Sequence, residues 1–159
     1  MNICPACRFA VRDLFFAWLT STLFSGAPST IYALLTQTDP LGATRAAGAM
    51  LLSANEPFVW LFAAAALVHA AVSAFWVLVF GFLLPNRHIT PWAVVGAGAV
   101  ALLDLLLIAP PFFPSVAALA FWPQFADHLM WGACLGLTLQ FRQGRAGPSH
   151  PSHEGSRAG

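Results

Sequence analysis

His69 and Asp104 each interrupt a long apolar run, and Asp127 and His128 stand together near the start of another. A carboxyl group in hydrocarbon either stays protonated or finds a cation. Asp104 therefore suits the carriage of a proton, an ion or a ligand, or else a structural pairing. Ala93, Ala97 and Ala101 precede it at helical spacing, so the small residues that admit a neighbouring helix share its face. A buried imidazole can relay a proton or ligate haem or a metal. It can equally stay neutral and hydrogen-bond across helices. His69 lies four residues from Ser73 and three from Ala66, which puts all three on one face. Asp127 fits the same chemistry or, more simply, stabilises the positive start of a helix. Gln124, His128, Gly132, Gly136 and Gln140 recur every four residues, and Gly132 with Gly136 makes a GxxxG surface on which helix backbones can pack closely.

Ser21, Ser25 and Ser29 repeat at the same spacing beside Thr22, Gly26 and Thr30, and Pro28 removes a backbone hydrogen bond from that turn. Two outcomes are open. The helix breaks and its freed carbonyl groups line a site, or it kinks and the hydroxyls bond back to their own helix. Arg45 is the cation placed to pair with Asp104 or Asp127. Ser25, Ser29, Thr30, Arg45, His69, Asp104, Asp127 and His128 together compose a candidate polar pocket open to the outside. Counted at the helical rise, His69 and His128 differ in depth by roughly 10 Å, which argues against one haem held between them. Cys4 and Cys7 have the spacing of half a zinc knuckle, a weak metal signal without a second pair. No HExxH, phosphate loop or triad spacing is present, so neither an enzyme nor a bound cofactor is expected.

Such residues can meet only if apolar helices carry them. The chain has 159 residues, 58% hydrophobic and 8% charged, whereas a soluble domain carries about 25% charged residues. The composition suits lipid as the solvent. The expected fold is all-α, a polytopic four-transmembrane-helix bundle over residues 1–141, with spans at about 13–36, 57–84, 91–109 and 123–141. Pro28 directly after Ser25-Gly26-Ala27 argues against cleavage of the first run as a signal peptide. Asp39-Pro40 opens a short helix to about Leu52, broken by Gly42 and Gly48 and expected at the outer interface between the first two spans. Residues 142–159, rich in Gly, Pro, Ser and His, read as a disordered cytoplasmic tail.

Arginine supplies all seven positive side chains, scattered singly, so the chain offers no basic run for nucleic acid. With the N-terminus inside, Arg8, Arg12, Arg87, Arg142, Arg145 and Arg157 are cytoplasmic and only Arg45 is outside. That asymmetry predicts both termini in the cytoplasm. Cys4, Cys7 and Cys134 are read as reduced thiols.

Ser25-Gly26-Ala27-Pro28-Ser29-Thr30, then Asp39-Pro40-Leu41 with Ala43-Thr44-Arg45-Ala46-Ala47-Gly48, then His69, Asp104 and Pro123-Gln124 with Ala126-Asp127-His128, resemble the pattern of a set of small uncharacterised bacterial inner-membrane proteins. The likeness covers about Leu14 to Leu139. It implies a bacterial inner membrane and four spans, and it brings no activity with it. The residues favour a small carrier or channel for protons, a cation or a small solute. The alternatives are an accessory or assembly subunit docked through its small-residue faces, and a haem or metal protein using His69 or His128. The expected partners are the lipid bilayer and either further copies of the chain or a larger membrane complex.

Overall fold

The computed structural model describes residues 9–145, and every regular element in that range is helical. Cys4, Cys7 and the residues from 146 onward lie outside the described residues. Helix α1, Val11–Phe24, and helix α2, Ala27–Leu35, divide the first expected span. The break falls at Ser25-Gly26, and Pro28 enters α2 in its first turn, where its missing N–H costs no hydrogen bond. Gln37 takes a left-handed φ of 55° at the end of α2. Thr38 N–H then returns to the Ala33 carbonyl and Gln37 N–H to that of Leu34, closing the helix as a Schellman motif with glutamine in the place glycine favours.

Helix α3, Gly42–Gly48, lies across the start of helix α4, Phe58–Leu83. The crossing is close enough that a Cβ on Gly48 would overlap the Leu61 backbone. Helix α5, Ile89–Leu102, runs without interruption through a π-helical segment, Leu103–Ile108, into the short helix α6, Ala109–Phe112. The third apolar stretch therefore does not stop at Ala109 as expected. Pro110 and Pro111 stand in the first turn of α6, directly after the widened π turn. After α7, Pro114–Ala117, helix α8 occupies Phe121–Arg145.

Helix α8 starts two residues before the expected Pro123, because proline is tolerated within the first turn. It also extends past the expected end at Phe141, so residues 142–145 are helix and not tail. Arg142 holds this extension: its guanidinium pairs with Asp13 at the start of α1 and lies 4.4 Å from the Phe16 ring centroid.

Helix α8 is the axis of the bundle, packed along α5 on one side and along α1 and α2 on the other. Ala93 and Ala97 of α5, Ala17 of α1, and Leu135 and Leu139 of α8 form the buried seam, continued by Val77, Phe80 and Trp131. Polar side chains tie the helices across that seam. Thr20 and Thr138 hydroxyls meet at 2.9 Å, and Thr90 donates to Gln140 at 2.8 Å. The Trp131 indole donates to Ser73 at 3.1 Å, and that of Trp18 to the Ala70 carbonyl at 3.0 Å.

Among the described residues two helical stretches, Phe58–Leu83 and Ile89–Phe112, are long and apolar enough to cross a membrane. Only 22% of the apolar window of each is buried inside the protein, so few of their apolar side chains are spent on the core. Four such spans were expected. The first stretch divides into helices of 14 and 9 residues, and α8 carries Gln124, Asp127, His128, Gln140 and Arg142 within its length, so neither is an uninterrupted apolar rod.

Candidate functional site

At the end of the bundle away from the Asp13–Arg142 pair, the helices diverge around a cavity of about 650 Å³. The α1–α2 break, α4, the π turn and α8 supply its walls, while α3 and α7 stand at its mouth. Its inner end is Ser73, Trp76 and Trp131, continuous with the buried core. Most of the lining is apolar, as small-molecule sites usually are, with a few polar groups converging on it.

Asp104 and His128 form the first of these groups. Asp104 opens the π turn, and the Ala109 N–H returns to its carbonyl five residues back, the wide ring that turns this part of the helix relative to α5. On α8, His128 Nδ1 lies 2.9 Å from the Gln124 carbonyl. A carbonyl only accepts, so Nδ1 carries a proton, and Nε2 is left to face Asp104 Oδ2 at 3.4 Å. A lone pair and a carboxylate oxygen attract only with one proton between them. The pair is therefore a site that holds a single proton, on nitrogen or on oxygen. The two side chains are 29% and 28% exposed, which leaves the pair open to the cavity they line.

Asp127 is held differently. Its Oδ1 accepts the Ser29 backbone N–H at 2.9 Å, so this carboxylate caps the first turn of α2, not its own helix. Gly26, the residue before α2, has no side chain to do so. His69 sits on α4 opposite the break. Its Nε2 is 3.0 Å from the Thr22 carbonyl, one of the groups released where α1 ends, and 2.9 Å from Ser25 Oγ. Because the carbonyl must accept, Nε2 carries a proton.

The serine and threonine stripe divides. Ser21, Ser29 and Thr30 bond back to carbonyls three or four residues earlier, and Ser25 does so to Thr22 while also meeting His69. Ser25, Ser29, Thr30, His69, Asp104, Asp127 and His128 all line the cavity. Arg45 does not. It pairs with Asp39, six residues away on the approach to α3, where both side chains are about half exposed. The expected partnership of Arg45 with Asp104 or Asp127 is thus replaced by a local one, made without ordering a long side chain into an apolar cavity.

Gly132 and Gly136 face α5 of the same chain. A Cβ at Gly132 would stand 2.6 Å from Ala97 Cβ, and one at Gly136 would stand 2.5 Å from Thr90 Cα. The GxxxG surface is consumed inside the fold. Among the described residues no group of three or more His, Cys, Asp or Glu side chains is arranged to hold a metal ion. Sequence reasoning missed the aromatic inner end, the mouth formed by α3 and α7, and the π turn under Asp104. Pro110-Pro111 was the available signal for the last. No protein-family model, curated protein or solved structure matches the chain.

Proposed function

We propose that the chain is a small membrane carrier of four crossings, with the cavity as its solute site and Asp104 with His128 as the group that holds the transported or coupled proton. The observation that carries this reading is the convergence of Asp104, His69 and the neighbours Asp127 and His128, from three elements, on one cavity of about 650 Å³. At about 30 Å³ per water molecule that is room for about twenty waters. A path for protons alone has no use for so wide and apolar a chamber, whereas a small organic solute does.

In this arrangement α1 and α2 act as one broken crossing, with α4, the α5–α6 rod and α8 as the others. Broken helices with polar groups at the break are tolerated in a bilayer where they line a cavity. Arg12, Arg87 and Arg142 belong to the end of the bundle opposite the cavity mouth, and Arg45 to the mouth end. By the positive-inside rule the cavity opens away from the cytoplasm and both termini lie within it. The bacterial inner membrane is the location implied by the resemblance noted above. The docking-subunit reading loses the GxxxG part of the small-residue faces that suggested it, since Gly132 and Gly136 pack on α5.

The test is pH-driven proton flux into proteoliposomes containing wild type or Asp104→Asn. The expected outcome is flux in wild type and at least a tenfold loss in the variant, with unchanged helicity and monodispersity. Equal flux from both folded proteins would overturn the assignment of the proton to this pair.

A further inference from the structure

We infer that the cavity selects a lipophilic organic cation, an ammonium or similar centre carried on an apolar or aromatic body. This rests on the cavity being the solute site proposed above and adds the class of solute. Among the described residues the titratable groups lining the cavity are Asp104, Asp127, His69 and His128, and neither lysine nor arginine lines it. The nearest candidate cation, Arg45, is committed to Asp39.

Charge accounting gives the sign. Asp104 and His128 share one proton, and with it the pair is neutral whichever atom bears it. His69 directs its Nε2–H to the Thr22 carbonyl. Asp127 is the second carboxyl group of the cavity, set in mostly apolar walls that carry no lysine or arginine to offset it. The place where the fold would have welcomed an external anion, the start of α2, is already filled by that same carboxylate, which accepts the Ser29 N–H. An anionic solute would meet Asp127 without a cation to offset it. A cationic solute would find its counter-charge there, with the aromatic side chains of Trp76 and Trp131 lining the inner end of the same chamber. A small hydrated metal ion fits poorly, because mostly apolar walls cannot replace its water.

Two probes of one shape and opposite charge test the sign directly: tetraphenylphosphonium and tetraphenylborate. Equilibrium dialysis of each against the purified full chain in neutral detergent, with empty micelles as the blank, measures saturable binding without requiring transport. Tetraphenylphosphonium is expected to bind at one site per chain, and tetraphenylborate at least tenfold more weakly. Asp127→Asn keeps an oxygen for the Ser29 N–H but loses the charge, and should weaken tetraphenylphosphonium at least tenfold with the fold intact by circular dichroism. Ala66→Trp, which fills the chamber from α4, should abolish binding of both probes.

Equal binding of the two probes, or cation binding indifferent to Asp127→Asn in folded protein, would overturn the inference. Absence of saturable binding by either probe would overturn it too. The carrier reading stands or falls separately. Proton flux sensitive to Asp104→Asn without cation selectivity leaves the carrier and removes the solute class. Selective binding without flux keeps the cation site and removes the carrier.

Discussion

Asp104 and Asp127 are both aspartates in apolar surroundings, and their partners give them different work. Asp104 faces an imidazole nitrogen, so one proton can be shared between its carboxyl group and His128. Asp127 accepts a backbone N–H at a helix start, which fixes the carboxyl group in place. Asp127→Ala removes an α2 cap and should lower stability by about 1 kcal/mol, the usual cost of losing such a group. Asp127→Asn, which can still accept the Ser29 N–H, should lose less than half of that. Thermal midpoints of the two variants in the same detergent measure the difference, and equal losses would mean that the cap contributes nothing. The tautomer of His128 follows from the Gln124 carbonyl, a backbone atom, so its orientation is set by α8 itself whatever side chain stands at position 124.

At the scale of elements, prolines do the shaping. Pro28 stands just after the α1–α2 break that presents the Thr22 carbonyl to His69, and Pro110-Pro111 stand just after the π turn that carries Asp104. Both interruptions lie on the cavity wall. The α5–α8 contact is the opposite case, a straight seam where glycine and alanine let backbones approach. Gly136→Leu should cost about 1–3 kcal/mol or more, since Thr90 and Ala93 leave no room and lie on the backbone or Cβ of a packed helix. Its expected signature is a lowered thermal midpoint of the single chain. A wild-type midpoint accompanied by release of a bound protein would instead place that surface in an interface between molecules.

For the whole molecule, the orientation proposed above from the arginines can be tested chemically. In a background with Cys4, Cys7 and Cys134 replaced by serine, Ser53→Cys, between α3 and α4, should react with a membrane-impermeant maleimide on intact cells. Asn86→Cys, between α4 and α5, should react only after the membrane is opened. The reverse pattern would invert the bundle, and labelling of both from outside would exclude α4 as a crossing. The Asp13–Arg142 pair belongs to the same scale, because it joins the first and last helices at the end remote from the cavity and leaves the mouth end to the short helices α3 and α7.

The amino-acid sequence by itself determined the all-α class, the apolar stretches that became α4 and the α5–α6 rod, and which residues share a helix face. These follow from composition and from a period of 3.6, both local properties. It did not determine that Arg45 would stay with Asp39, that Asp127 would cap α2, that Asp104 would meet His128, or that Gly132 and Gly136 would face α5. Each of these depends on which helix faces which and at what rotation. That is decided by the fit of whole surfaces, and a hydrogen bond accepts an error of only a few tenths of an ångström. The π turn shifts the rotation of everything after Leu102 by a fraction of a turn, a displacement that no regular helical count contains.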